Sequence, residues 1–212
     1  MQTLALLIAE RATWLVPLVL SLAVHEWAHA RAALALGDRT AADQGRLTLD
    51  PTAHVDPVGT FVLPLLGLPF GWARPVPIEP LRFRPEVSMA MGVLWTALAG
   101  PASNFLLAAF SVLAYGLVVR SIGGGVVSEL LASLASLNTL LGLFNLLPVH
   151  PLDGSRVVDG LCPDALRPLW DRLQGLAPLP LLGVALGGTL FGWDLFGPPM
   201  RLVHAALRWA AA

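Results

Sequence analysis

The chain has 212 residues, 56% of them hydrophobic and 13% charged, with a mean hydropathy of +0.70. Soluble domains carry about 25% charged residues, so this supply is too small to cover a water-exposed surface. A net charge of −1 argues against nucleic acid as partner, and a single cysteine, Cys162, excludes an intrachain disulfide and a cysteine-based zinc site.

In chain order, residues 4–36 read as one long helix whose only proline, Pro17, is tolerable in a membrane helix. Its start resembles a signal peptide. The apolar pattern, however, runs past residue 20 into polar residues with no small-residue cleavage site between. Residues 45–56, GRLTLDPTAHVD, alternate at Leu47, Thr48 and Leu49 before turn residues, and predict a short membrane-associated β segment. Residues 57–72 are apolar but broken by Pro64, Gly67 and Pro69. Residues 73–86 hold four prolines and read as an extended loop.

Residues 87–119 contain no Asp, Glu, Lys or Arg and are long enough for a tilted span, with a break expected at Gly100-Pro101. Residues 126–148 predict another span ending at Pro148. Residues 176–207 are apolar but rich in Gly and Pro, and predict one broken helix or two short ones. Together these blocks describe an all-α polytopic membrane protein of one domain, residues 1–212.

All thirteen basic residues are arginines, in clusters after the first helix (Arg31, Arg39, Arg46), the second block (Arg74, Arg82, Arg84) and the fourth (Arg156, Arg167, Arg172). The positive-inside rule places these clusters in the cytoplasm. Block 57–72 then has to enter and return, or lie in the interface.

Within the first helix stands His25-Glu26-Trp27-Ala28-His29. Residues i and i+4 share a helix face, so two imidazoles can converge on one metal ion. The intervening glutamate can act as general base toward a water at that metal. An isolated HExxH also arises by chance. At membrane depth, though, each ionisable group costs about 2.5–3.5 kcal/mol on insertion scales, which disfavours an idle cluster. Catalytic zinc takes three protein ligands and keeps one position open. Asp153 follows a span on the same expected side and has the right chemistry, although Asp153-Gly154 is equally readable as an ordinary turn or helix cap.

The segments HEWAH, GRLTLDPTAHVDPVGT, GWARPVPIEP, AGPASNF and FNLLPVHPLDGSRV, in this order over residues 25–157, resemble the site-2 protease family of intramembrane zinc metalloproteases, in the compact form without a PDZ module. The resemblance implies His25, His29 and Asp153 as ligands of one catalytic zinc ion and Glu26 as base. It also implies a three-helix catalytic core with flanking helices and strand-like segments beside the site. His54, Asn104, Asn145 and His150 are candidates for substrate, oxyanion or supporting contacts. Each has a plainer alternative: helix–helix hydrogen bonding for the two asparagines, a backbone contact for His54, exposure at the membrane surface for His150. Two positions depart from the family pattern, which has Asn at Asp50 and Pro at His150.

The function so implied is endopeptidase cleavage in or near transmembrane segments of other membrane proteins, by a multi-pass cell-membrane protein whose site lies nearer the cytoplasm. The partners are a transmembrane substrate and the lipid bilayer. Oligomeric state is open, a homodimer included. A membrane metal-binding or transport protein and a pseudoprotease that binds without cutting are the alternatives. Trp27, Trp72, Trp95, Trp170, Trp193 and Trp209 fit an aromatic belt near span ends, and His204 reads as a packed or interfacial side chain.

Overall fold

The computed structural model describes residues 4–62, 65, 71–177, 179–181, 183, 192 and 194–212, with side chains from residue 14 onward. Pro64, Gly67, Pro69, Trp193 and most of the Gly-rich stretch expected to break a helix within 176–207 lie outside those residues. The helices are α1 (Leu4–Ala35), α2 (Thr40–Asp43), α3 (Met89–Ile122), α4 (Val126–Asn145), α5 (Asp153–Leu161), α6 (Arg167–Gln174) and α7 (Gly197–Ala211). α3 is the hub and packs against α1, α4, α5 and α7, while α1 also meets α4.

α3 and α4 are long and apolar enough to cross a bilayer. The packing of α3 runs opposite to that of a soluble helix. Apart from Leu94, its buried stripe is small or polar, with Ala97, Gly100, Asn104, Ala108 and Ser111 among its residues. Its exposed stripe is large and apolar, with Leu106, Phe110, Leu113 and Leu117. Small inward residues let backbones approach closely where lipid, not water, surrounds the bundle, and an apolar face of this extent is a liability in water.

α3 starts at Ser88, whose hydroxyl accepts the Met91 N–H, and it runs unbroken through Pro101. The break expected at Gly100-Pro101 does not occur. Proline removes one backbone donor, but in a packed apolar bundle neighbouring hydroxyls and helices re-satisfy the loosened turn, and the Ser103 hydroxyl donates to the Gly100 carbonyl. α1 closes at Gly37, at φ +112°, where a Cβ would stand 3.0 Å from the Arg84 nitrogen. Arg84 N–H in turn donates to the Leu36 carbonyl at 2.8 Å.

Residues 45–56 form no strand, which corrects the expected β segment, and no strand occurs among the described residues. The cause is local. Pro51 and Pro57 supply no backbone donor. Asp50 takes the Thr52 N–H and Asp56 takes those of Val58 and Gly59, so side chains claim the amides a ladder would need. The result is a tight turn at Pro51–Ala53 and a wider helical turn at Pro57–Val62. The Asp50 role also accounts for its departure from the family pattern. The turn needs only an acceptor oxygen at this position, and Asp and Asn supply it equally.

A proline-rich segment outside helix and strand lies next door, at residues 71–79. It is held by isolated bonds: Arg74 N–H to the His54 carbonyl (2.8 Å), Arg46 Nη2 to the Arg74 carbonyl (2.7 Å) and Glu79 N–H to Asp38 Oδ2 (2.7 Å). Val76 packs with Ala30 of α1 and Ala41 of α2. The two ends of block 57–72 meet, since Trp72 N–H donates to the Gly59 carbonyl and Thr60 Oγ1 to the Trp72 carbonyl.

Candidate metal centre

His25 and His29 lie one helical turn apart on α1, and Asp153 is the first residue of α5. All three are buried, and the packing of α5 on α3 brings the aspartate over the histidine pair. His25 Nε2 and His29 Nε2 are 3.0 Å apart, and each stands 3.2 Å from Asp153 Oδ2. Zinc ligands at about 2.0–2.1 Å in tetrahedral geometry are spaced about 3.3–3.4 Å from one another. The three atoms therefore form one face of such a tetrahedron to within a few tenths of an ångström.

The proton placement agrees. His25 Nδ1 donates to Asn104 Oδ1 at 2.6 Å and His29 Nδ1 donates to the Thr96 carbonyl at 2.7 Å. Each imidazole thereby presents an Nε2 lone pair to the centre, the arrangement that outer hydrogen bonds impose on metal-bound histidines. Asp153 Oδ2 is buried and receives no hydrogen bond. Two lone pairs and a buried anionic oxygen converging on one point call for a cation. The residues present fit zinc.

Glu26, between the two histidines, is also buried, and its Oε2 accepts the Val76 N–H at 2.8 Å. Arg46 lies near this carboxylate. Burial pulls its guanidinium below the ordinary value and the like charge of Arg74 adds to that, while the Glu26 charge acts the other way. Arg46 Nη2 spends its hydrogen bonds on the Arg74 and Pro75 carbonyls, directly before Val76.

The remaining candidates divide. Asn104 is fully buried against His25. His54 is buried but is outside the cluster of converging ligand atoms, and its Nε2 donates to the Thr48 carbonyl at 2.8 Å. Asn145 folds its amide back onto the Leu141 carbonyl of its own helix. His150 is exposed and borders a cavity of about 110 Å³ shared with Trp170 and Gln174. His204 is exposed on α7.

Three groups here escape sequence reasoning. The Thr96 carbonyl and the Val76 N–H are backbone, so residue type carries no trace of them. Gly100 faces the histidines. A Cβ at this position would overlap His29 Nε2 and stand 2.6 Å from His25 Cε1. Gly154 has a comparable role behind Asp153, because a Cβ there would overlap the carbonyl oxygens of Leu146 and Leu147. A helix-borne HExxH pair closed by a distant aspartate, in a bundle containing span-length apolar helices, defines the class: a membrane-type metallohydrolase centre.

Comparison with known proteins gives the family. The chain is 42% identical over 158 residues to the Bacillus subtilis (strain 168) protein named "Putative zinc metalloprotease YwhC", covering 72% of this chain and 70% of that one. It is 33% identical over 204 residues to the Mycobacterium tuberculosis (strain H37Rv) protein named "Putative zinc metalloprotease Rip2", covering 92% and 76%. No protein-family model and no solved structure matches the chain. At this identity and coverage the chain belongs to the site-2 protease family.

Proposed function

We propose that the chain is a zinc endopeptidase that hydrolyses peptide bonds in or near transmembrane segments of other membrane proteins. In this reading it is a multi-pass cell-membrane protein with its site nearer the cytoplasmic side. The observation that carries the reading is the convergence of His25 Nε2, His29 Nε2 and Asp153 Oδ2 with the Glu26 carboxylate fixed alongside. The inside-out packing of α3 supports a bilayer around it.

His25, His29 and Asp153 would hold the ion. Zinc, when bound, supplies Lewis acidity toward the scissile carbonyl and the attacking water. The chain's own groups do the rest. Glu26 has one oxygen engaged by Val76 N–H, which leaves Oε1 to take the proton of the attacking water and pass it to the leaving amine. Burial of the ligands excludes bulk water and strengthens every charge interaction among them. A helical substrate hides its carbonyls in internal hydrogen bonds, so the segment cut has to unwind locally before it reaches the site.

Glu26→Gln is the direct test, because a glutamine Oε1 still accepts the Val76 N–H while lacking basicity. Wild type and variant are purified, loaded with zinc and reconstituted with single-span substrates. The variant should bind zinc as wild type does and cleave about 10²–10⁴-fold more slowly. Equal cleavage by both would remove Glu26 as the base. A wild type that binds zinc and cuts no member of a panel of single-span substrates would favour the metal-binding or non-cutting alternatives.

A further inference from the structure

His25 is oriented by Asn104, but an amide can orient an imidazole in either of two ways. With Oδ1 facing the ring, it accepts from Nδ1–H and leaves Nε2 free for the metal. Turned over, it offers an N–H to Nδ1, the ring proton moves to Nε2, and the ligand atom is blocked. What selects one orientation lies further from the site.

Asn104 Nδ2 donates to Asn138 Oδ1 at 2.8 Å. Asn138 Nδ2 donates to Ser21 Oγ at 2.8 Å and to the Leu134 carbonyl at 2.9 Å. Ser21 Oγ donates to the Pro17 carbonyl at 2.6 Å. Asn104, Asn138 and Ser21 are each 0% exposed, and they stand on α3, α4 and α1. The donors all run one way, from His25 Nδ1 through two amides to a hydroxyl and a backbone carbonyl. The far end sets the direction. The Leu134 carbonyl can only accept, so Asn138 must turn its nitrogen toward α4's own backbone and its oxygen toward Asn104. Asn104 must then give its nitrogen to Asn138 and its oxygen to His25. Buried amides in an apolar bundle are costly unless every group is paired, and here each one is.

We propose that Asn138 is a positioning residue for the metal centre: through Asn104 it holds His25 with the proton on Nδ1 and the Nε2 lone pair toward the ion. The proposal rests on the metal-site reading given above. It adds α4, which supplies none of the converging ligand atoms among the described residues, to the elements that prepare the site.

The test is a double-mutant cycle read by affinity for Zn²⁺ alone, in competition with a chelator, on the detergent-solubilised full chain. Asn138→Leu should weaken zinc binding about 10–100-fold, the usual effect of losing an outer partner of a histidine ligand. In an Asn104→Asp background the carboxylate can only accept from His25, so Asn138→Leu should cost little further affinity. Spectra of ¹⁵N-histidine-labelled, zinc-free protein should place the His25 proton on Nδ1 in wild type and shift it toward Nε2 in Asn138→Leu. A loss of equal size in both backgrounds would make Asn138 a mere packing residue, and unchanged affinity in Asn138→Leu would overturn the proposal outright. If Asn138→Leu does not fold, Ser21→Ala replaces it, with a smaller loss that again vanishes beside Asn104→Asp and whose persistence there overturns the proposal. A wild type that binds no zinc would sink the metal-site reading, while the histidine spectra would still decide the relay.

Discussion

His25 and His29 are oriented from the helical side of the site, His25 by the Asn104 side chain and His29 by the Thr96 carbonyl, both on α3. Glu26, on the same turn of α1, is oriented from the opposite kind of structure, by a single N–H in the irregular segment of residues 71–79. The ligand side is a packed helix interface whose shape is set by small residues and buried amides. The base side is a loop pinned at separate points by Arg46, the His54 carbonyl and Asp38. In the proposed function, metal binding and proton transfer would thus depend on different parts of the fold, and substitutions should separate them.

The largest effect is expected where the helix interface leaves no room. Gly100→Ala places a methyl group against both imidazoles. Backbone of α3 lies behind that carbon, so the histidines must move. A displacement of about 1 Å at a reacting centre costs about 10²-fold in rate. Zinc affinity and cleavage should fall together by at least that factor, with helix content by circular dichroism unchanged. Retention of full zinc affinity would mean the two helices separate freely at this point, contrary to the packing described.

The same contrast explains what the sequence disclosed. HExxH stood out because ligand geometry demands particular residue types four apart, whereas Asp153 read equally as a ligand and as a turn or helix cap until the family resemblance named it. Asn138 was not singled out: an amide in a spanning segment requires a partner, but its partner is 34 residues away and only the fold supplies it. The loop side was read least well. Leu47, Thr48 and Leu49 alternate like a strand, yet Asp50, Asp56 and two prolines dispose of the local amides and leave no ladder. Residues 71–79, most of which the prolines had marked as loop, carry neither helix nor strand, with Pro75 and Pro77 excluding a helix. Alternation records side-chain polarity, whereas strand formation here was decided by where backbone donors went.

A smaller effect, confined to the base, is expected of Val76→Pro, which deletes the N–H on Glu26 Oε2. The neighbours are already Pro75 and Pro77, and Val76 stands outside helix and strand, so the ring interrupts no backbone ladder. A hydrogen bond to a charged group contributes about 1.5–3 kcal/mol, so cleavage should slow about tenfold to hundredfold. Zinc affinity should not change, because neither histidine anchor is touched. A parallel loss of zinc affinity would show that the two sides of the site are not separable.

The smallest effect belongs to the outermost pin. Asp38 receives the Thr40 N–H and hydroxyl on Oδ1 and the Glu79 N–H on Oδ2. Burial pushes its carboxyl up, but these donors more than offset that, with Arg82 adding to them, and hold it below the ordinary value. A folded-state pKa that is depressed gives stability present above the unfolded value, about 3.9, and lost as pH falls through the folded value. Wild-type stability should therefore decline more steeply than that of Asp38→Asn as the medium is acidified below about pH 4, since asparagine has no charge to lose. At neutral pH the variant should be modestly less stable, because its amide accepts on one oxygen only and meets the Glu79 N–H with a donor. Thermal unfolding midpoints of the solubilised protein between pH 3 and pH 7 make the comparison: curves that converge in acid support the tether, and curves that stay parallel throughout rule out Asp38 ionisation as its source.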